Sequence, residues 1–219
     1  MKTAPLTLYG YWRSSAAYRL RIALNLKGLD YEQVAVNLKA GEQTTEAWLA
    51  QQPQGLVPVL KHGSQALVQS PAIVEWIEET WPEPALLPSA PADRAIVRGW
   101  AAVIGCDIHP LQNLRVLKAA AALDGQGMDS MKAWAQRWMV PGLRALNDMV
   151  RTAKRPGDFL WGEHPGLAEV YLVPQLYNAR RWGVDVEEFP TLLAADIAAR
   201  ALPAFIDAAP ENQPDAEAG

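Results

Sequence analysis

The stretch YGYWRSSAAYRLRIALNLKG, residues 9–28, contains the end of a strand, a turn and a complete helix. Residues 6–11 (LTLYGY) predict a short strand, and the helically spaced apolar residues later in the stretch predict a helix that Gly28 ends. Ser14 and Ser15 stand where the strand gives way to this helix, with three arginines close by in the sequence. A β-α unit with hydroxyl side chains at the helix start is therefore the first expectation.

Strands and helices alternate after this unit. A second strand at 31–38 is made parallel to the first by the intervening helix, and two short strands flank a turn at 62–64 (HGS). Two further helices are predicted by TTEAWLAQQ (44–52) and SPAIVEWIEETW (70–81). The order β-α-β-α-β-β-α predicts a small α/β domain over residues 1–84, which makes the whole chain α+β.

A proline-rich segment separates this domain from a different kind of sequence. We expect residues 85–91 to be a linker, because prolines lie within and beside the segment. Beyond it, the Ala-rich stretches predict an all-helical domain over 92–219, and the polar tail from about residue 208 is expected to fray. The predicted helical stretches are about 92–123, 130–154, 167–183 and 191–208.

Composition excludes several function classes. The chain of 219 residues has a net charge of -4, so it lacks the basic face of a nucleic-acid binder. One cysteine excludes an internal disulfide, and three histidines give no metal-ligand cluster. No apolar run approaches the length needed to cross a bilayer, and the N-terminus lacks the apolar core of a signal peptide. We expect a cytoplasmic protein with no nucleic-acid, membrane or metal partner.

Two motifs allow both a structural and a functional interpretation. In LVPVL (56–60), Pro58 fits an edge strand with a trans bond, or a cis Val57–Pro58 bond that leaves the Val57 backbone to pair with an extended peptide. In QSPAIVEW (69–76), Ser70 and Pro71 suit a helix cap and first turn, but a helix N-terminus beside Gln69 also suits a carboxylate.

The paired serines have the same double meaning. Ser14 is explained by capping the first helix. A thiol held there would also ionise more easily, because the helix dipole and a serine hydroxyl favour the thiolate. The chain's own cysteine is far along the sequence, so that thiol would come from a ligand.

Taken together, these motifs resemble the zeta class of the glutathione S-transferase superfamily, and most of all its maleylacetoacetate and maleylpyruvate isomerases. The resemblance runs in order from about residue 6 to residue 207. It rests on YWRSSAAYRLRIALNLKGLDYE (11–32), GLVPVL (55–60), QSPAIVEWIEE (69–79), IHPLQNLRVL (108–117) and LVPQLYNARRWGVD (172–185).

The resemblance implies a thioredoxin-like first domain that binds glutathione, a helical second domain and a homodimer. It assigns the sulfur contact to Ser14, with Ser15 close by, and the pairing with the peptide backbone to Val57 before a cis Pro58. The other implied glutathione contacts are Gln43, Gln69, Ser70, His109 and Gln112.

The resemblance also gives two arginines a role. Arg13 and Arg181 fall where the family binds the carboxylates of its small dianionic maleyl keto acids, which suits the two-point grip of a guanidinium. The structural alternative for Arg181 is a favourable cation near a helix C-terminus. Arg19 and Arg21 are expected to be scaffold residues and stay outside the predicted site.

The implied activity is a glutathione-dependent cis–trans isomerisation of maleylacetoacetate or maleylpyruvate in aromatic compound catabolism. The alternatives are a conjugating transferase for small electrophiles and a non-catalytic glutathione-transferase-like binding protein. Ala16 and Ala17 replace the Cys-Ser usual in the family, which argues against dehalogenase activity. His109 slightly favours maleylpyruvate, because the maleylpyruvate isomerases have histidine there.

Three smaller expectations concern single residues. We expect Cys106 to be a buried structural thiol in an apolar helix, and His62 and His164 to be solvated. Gly166 stands where the family usually has a capping Ser or Thr, and Glu169 is expected to keep the reciprocal half of the capping box.

Overall fold

A computed structural model describes residues 4–217, apart from the side chain of residue 124. These residues form two compact units. The first runs to Leu86 and resumes at Leu202, and the second is Leu87–Ala201.

The described residues contain four strands and nine α-helices. The strands are β1 (Leu6–Gly10), β2 (Tyr31–Ala35), β3 (Val59–His62) and β4 (Gln65–Val68). The helices are α1 (Ser15–Leu26), α2 (Glu46–Leu49), α3 (Ser70–Thr80), α4 (Pro91–Ala102), α5 (Leu114–Asp124), α6 (Met128–Ala153), α7 (Leu167–Arg181), α8 (Pro190–Arg200) and α9 (Pro203–Ala208).

The first unit has the predicted β-α-β-α-β-β-α order around one mixed sheet. The strand order is β2-β1-β3-β4, with β1 and β2 parallel and β3 antiparallel to both of its neighbours. Helices α1 and α3 pack against each other, and the apolar side chains that line them, such as Leu20 and Ile77, are fully buried. The N-termini of α1 and α3 carry most of the predicted site residues of this unit.

An ion pair joins the C-terminal end of α1 to α3 and the proline-rich segment. Lys27 Nζ lies 2.6 Å from Glu78 Oε2 and also donates to the carbonyl of Pro84, while Glu78 accepts the backbone N–H of Leu86. Both charged side chains are buried and surrounded by polar partners, which is the condition under which a buried ion pair is tolerated.

His62 was expected to be solvated, but its ring packs against two tryptophan rings. Its ring lies 5.4 Å from that of Trp76 and 6.0 Å from that of Trp81, and its Nε2 atom is buried. His62 ends strand β3, and Trp76 belongs to α3. Because both ring partners are distant from His62 in the sequence, the sequence pattern around His62 does not predict this packing.

The second unit is built around α7. Nearly every side chain of α7 is buried, which is typical of a helix surrounded by protein, and α7 packs against α4 and α8. The sequence predicted one helical stretch over 92–123, but the structure interrupts it. After α4 come a π-helical turn at Val103–Ile108 and a 3-10 helix at His109–Gln112, and Asn113 then caps α5.

The π-helical turn explains a wrong prediction for Cys106, which is exposed. An α-helical register placed this thiol among apolar neighbours, but the wider π turn rotates the residues that follow. The predicted stretch 191–208 is likewise two helices, because Pro203 cannot continue α8.

The C-terminal segment corrects two expectations. Residues from Leu202 onward belong to the first unit, not to the helical domain expected over 92–219. The expected frayed tail is anchored through residue 217: α9 packs on α1, and Arg21 Nε and Asn25 Nδ2 donate to the carbonyls of Ala208 and Ala204. Burial of the apolar side chains of Phe205 and Ala208 stabilises the packing of this segment on the first unit.

Among residues 4–217, no helix is long and apolar enough to cross a membrane.

Candidate active site

The start of α1 presents the predicted serines and one predicted arginine. Ser14 is the N-cap: its backbone is extended (φ -70°, ψ 118°), and its hydroxyl oxygen accepts the N–H of Ala17 at 3.2 Å. Ser15 follows as the first helical residue and is 9% exposed. Arg13 is half-buried, with its guanidinium carbon 4.9 Å from the centre of the Trp12 ring, close enough for a cation–π contact.

Capping does not use the O–H of Ser14, so this group can still donate a hydrogen bond to a ligand. A serine hydroxyl offers one O–H donor and two acceptor lone pairs, and capping uses only a lone pair. The helix dipole favours negative charge at this position, and no acidic side chain lies in the first turn of α1. An anionic sulfur beside Ser14 would be stabilised by the dipole and by the hydroxyl group.

The Val57–Pro58 bond is cis, the form that the family resemblance implies. The pattern LVPVL suggested a strand with Pro58 in its middle, but Pro58 is buried and lies just before β3 begins at Val59. The preceding backbone is held from one side, because Trp48 Nε1 donates to the carbonyl of Leu56 at 3.2 Å.

The start of α3 differs from its predicted form. Ser70 is not the N-cap: Gln69 holds that position with φ 70° and ψ 108°, and Ser70 and Pro71 begin the helix. A positive φ is unusual for a residue with a side chain and marks a position held by its surroundings. No side chain caps α3, so the N–H groups of its first turn keep their attraction for an anion.

Arg19 reaches this helix start, although it was predicted to be a scaffold residue outside the site. It is 1% exposed, and its Nη1 group donates to Ser70 Oγ at 3.4 Å. A buried guanidinium beneath the start of α3 adds positive potential where the predicted carboxylate contact lies. The position of Arg19 four residues after Ser15, on the buried face of α1, was the available signal. Arg21 is scaffold as expected, since it donates to the carbonyls of Trp12 and Ala208.

Gln43 lies apart from both helix starts, in a 3-10 helix at Glu42–Thr44. The residue is half-buried, and its Oε1 atom is buried without a hydrogen-bond donor among the described residues. An orphaned acceptor of this kind is unfavourable unless a ligand or water completes it.

The second unit holds His109, Gln112 and Arg181. His109 begins the 3-10 helix after the π-helical turn and is half-buried, and Gln112 ends that helix at 4% exposure. Gln112 and Arg181 are linked through Asn178, which donates to Gln112 Oε1 at 2.6 Å and accepts from Arg181 Nη1 at 3.1 Å. Asn178 was not predicted as a site residue, although its place three residues before Arg181 on α7 puts both on one helix face.

Arg180 and Arg181 have different environments despite being neighbours. Arg180 donates to Asp196 Oδ2 at 2.6 Å, and Arg200 pairs with the same buried carboxylate. Arg180 is therefore committed to the scaffold. In residues 4–217, no three His, Cys, Asp or Glu side chains form a group that could hold a metal ion.

Comparison with known proteins identifies relatives over the whole chain. The family model of the glutathione S-transferase N-terminal domain matches residues 4–79. The maleylacetoacetate isomerase of Pseudomonas aeruginosa is 48% identical over 219 residues, which cover 97% of this chain and 100% of the relative.

Solved structures give the same result. The holo structure of a bacterial maleyl pyruvate isomerase, a zeta-class glutathione S-transferase, matches with a TM-score of 0.94 at 45% identity and covers 96% of this chain and 100% of its own. A maleylacetoacetate isomerase from Anaeromyxobacter dehalogenans, with dicarboxyethyl glutathione and citrate in its active site, matches with a TM-score of 0.88 at 45% identity, covering 100% of both chains. With this identity along its full length, the chain belongs to the zeta class of the glutathione S-transferase family.

Proposed function

We propose that this protein is a glutathione-dependent cis–trans isomerase of a small maleyl keto acid, maleylacetoacetate or maleylpyruvate. The observation that carries the proposal is Ser14 at the N-terminus of α1, where one hydroxyl group caps the helix and keeps an O–H to donate. The relative from Anaeromyxobacter dehalogenans, solved with a dicarboxyethyl glutathione, supports the pairing of a glutathione site with a small carboxylate substrate.

The residues present fit glutathione. The buried, orphaned Oε1 of Gln43 needs a donor, which a peptide ligand has. The uncapped start of α3, with Gln69 and Ser70 above the buried Arg19, suits the γ-glutamyl carboxylate. Val57 would pair with the peptide backbone of the ligand, and Gln112 and His109 would add further contacts.

The chemistry divides between the ligand and the chain. Bound glutathione supplies the thiolate whose reversible addition makes the cis double bond rotatable. Ser14 stabilises that thiolate by donating its O–H, and the dipole of α1 lowers the thiol pKa in the same direction. Ser15 closes the helix start against water, since it is almost completely buried.

Arg13 and Arg181 would hold the carboxylates of the substrate. Each guanidinium carries several N–H donors in a plane, so each can bind a carboxylate at two points and fix its direction. Fixed carboxylates keep the ends of the substrate in place while its centre changes geometry, which is a contribution of orientation. A bulky apolar electrophile has no carboxylates for these two arginines to bind. The two arginines therefore favour the isomerase proposal over a general conjugating transferase.

We also propose the finer properties that the family resemblance implies. These are a homodimer, a cytoplasmic location and a place in aromatic compound catabolism. A chain with a single cysteine has no internal disulfide, which fits a reducing compartment. Sedimentation velocity of the purified protein tests the dimer.

The test of the activity is the loss of absorbance of maleylpyruvate and maleylacetoacetate with purified protein, with and without glutathione. We expect turnover that depends on glutathione, a strong loss with Ser14→Ala, and a raised KM with Arg181→Ala. Arg144→Ala is the control, because Arg144 is an exposed arginine of the same unit that pairs with Glu188 on the surface. Binding of glutathione without turnover of either acid would contradict the proposal and favour conjugation or a binding role.

A further inference from the structure

Three buried side-chain amides form a hydrogen-bonded row in the second unit. Gln175 Oε1 accepts from Gln112 Nε2 at 2.9 Å, and Gln112 Oε1 accepts from Asn178 Nδ2 at 2.6 Å. Arg181 adjoins the row, and its Nη1 group donates to Asn178 Oδ1 at 3.1 Å. Gln175, Gln112 and Asn178 are 0%, 4% and 8% exposed, whereas Arg181 is exposed. We call Gln175, Gln112 and Asn178 the amide row.

Arg181 sets the direction of the whole row. A guanidinium only donates, so the oxygen of Asn178 must face Arg181 and its NH2 group must face Gln112. The oxygen of Gln112 then accepts, and its NH2 group donates to Gln175. Each amide orientation follows from the one before it, starting at the arginine.

The fixed direction of the hydrogen bonds leaves one donor unsatisfied at Gln175, the end of the row away from Arg181. Gln175 Nε2 is buried and has no acceptor among the described residues. A buried donor without a partner is unfavourable, and a purely structural core would avoid it with apolar side chains. An unsatisfied donor of this kind in a buried row points to a role other than stability.

We propose that Asn178 is a positioning residue that sets the guanidinium plane of Arg181 and couples it to Gln112. The inference rests on the proposed function, in which Arg181 binds a substrate carboxylate and Gln112 contacts glutathione. A ligand that polarises or turns the Gln112 amide changes the bond that Gln112 accepts from Asn178. That change passes to the acceptor of Arg181, so the two ligands alter each other's affinity by the same factor.

The test uses binding and not turnover. Malonate serves as a non-reacting dicarboxylate and S-methylglutathione as a glutathione analogue without a free thiol. Isothermal titration gives the malonate Kd of the full chain with and without S-methylglutathione, and the ratio of the two Kd values is the coupling factor. The variants are Asn178→Leu, which removes both bonds at similar size, and Asn178→Asp, which keeps an acceptor for Arg181 but cannot donate to Gln112.

Asn147→Leu is the matched control. Asn147 lies in α6 of the same unit, is also 8% exposed, and also uses its side-chain oxygen as an acceptor, from the N–H of Thr191 at 3.1 Å. A loss of stability that comes from removing a buried asparagine therefore appears in both leucine variants. A loss of dicarboxylate binding is expected only in the Asn178 variant, in which the bond that Arg181 donates to Asn178 is lost.

We expect Asn178→Leu to weaken malonate about tenfold and to move the coupling factor toward one, while Asn147→Leu keeps both wild-type values. Asn178→Asp, the variant to rely on if Asn178→Leu does not fold, is also expected to lose the coupling. Wild-type malonate affinity and coupling in the Asn178 variants would overturn the inference and leave the isomerase proposal intact. A wild-type protein that binds neither malonate nor S-methylglutathione would overturn both.

Discussion

The hydroxyl group of Ser14 has two roles that different substitutions can separate. Its oxygen caps α1 by accepting from Ala17, and its O–H is the donor that the proposed thiolate requires. Alanine removes both roles, whereas asparagine keeps a capping oxygen without a hydroxyl. The two variants therefore isolate the catalytic role from the structural one.

We predict that Ser14→Ala lowers the free energy of unfolding by about 1 kcal/mol and that Ser14→Asn leaves it almost unchanged. Ser14→Ala is expected to raise the pKa of the bound glutathione thiol and to lower kcat/KM, because alanine has no donor. Ser14→Asn is expected to change both quantities less, because its NH2 group can donate in place of the O–H but comes from a longer side chain. Urea unfolding and the ultraviolet titration of the thiolate give the two readouts. Full activity of Ser14→Asn would show that the hydroxyl group is not required.

Single residues also show where sequence patterns stop being informative. Ser14 was predicted as cap and site residue because both roles depend on neighbours along the chain. Arg19 was left out because its contact with Ser70 joins residues 51 positions apart, and its place on the buried face of α1 indicates a buried partner without saying which residue that partner is. Ser70 was predicted as the N-cap of α3, but the N-cap is Gln69, one residue earlier. The positive φ of Gln69 that marks this position is not visible in the sequence.

At the scale of elements, the start of α7 depends on one buried carboxyl group. Gly166 has no side chain to cap the helix, so the capping box keeps only its Glu169 half. Glu169 accepts the N–H of Gly166 at 2.8 Å and that of Leu160 at 2.7 Å, as the sequence predicted for the first of these bonds. Burial raises the pKa of Glu169 to about 7, and the backbone donors offset only part of that rise.

The raised pKa predicts a fall in stability with rising pH. The folded protein holds the Glu169 proton more tightly than the unfolded chain, whose pKa is near 4.5. The stabilisation is therefore present below pH 4.5 and is lost as the pH rises to about 7, by on the order of 3 kcal/mol. Urea unfolding between pH 4.5 and 7.5 measures this slope.

Glu169→Gln is the comparison for this prediction, because glutamine does not titrate. The variant will be less stable overall, since its NH2 group faces one of the two backbone donors, so only the pH slopes are compared. An equal slope in both proteins would assign the pH dependence to other groups.

The elements were predictable to different degrees. The strands and helices of the first unit follow from short-range patterns, and their order was predicted from the sequence. The interruption of the 92–123 stretch was not, because a π-helical turn has no clear composition signal, and Gly105 there lies against the ring of Tyr171 in a distant helix. The break before α9 was readable in principle from Pro203, but the apolar spacing around it continued the helical pattern.

At the scale of the whole molecule, the end of the chain supports its beginning. Asp215 Oδ2 accepts the N–H of Trp12 at 2.9 Å, two residues before Ser14. Gln213 accepts from Gln33 Nε2 at 3.0 Å, and Lys39 pairs with Glu217. Residues 213–217 therefore fasten the loop between β1 and α1 and the adjacent strand β2.

We predict that Asp215→Ala lowers the free energy of unfolding by about 1–2 kcal/mol, because the Trp12 N–H loses a charged acceptor. The same change is expected to lower kcat/KM by loosening the loop that carries Arg13 and Ser14. Urea unfolding, enzyme kinetics and the hydrogen-exchange rate of the Trp12 amide measure these effects. Asp215→Asn keeps an acceptor oxygen and should lie close to wild type, and an unchanged Trp12 exchange rate in Asp215→Ala would contradict the prediction.

The return of the chain to its first unit also has a consequence for biosynthesis. A ribosome makes β1, Ser14 and α1 before the second unit, but it makes α9 and Asp215 after it. Domains commonly fold while the nascent chain is still being made, N-terminal part first. Here α9 follows the second unit in the sequence, so the surface of α1 that packs against α9 stays uncovered until the second unit has been synthesised.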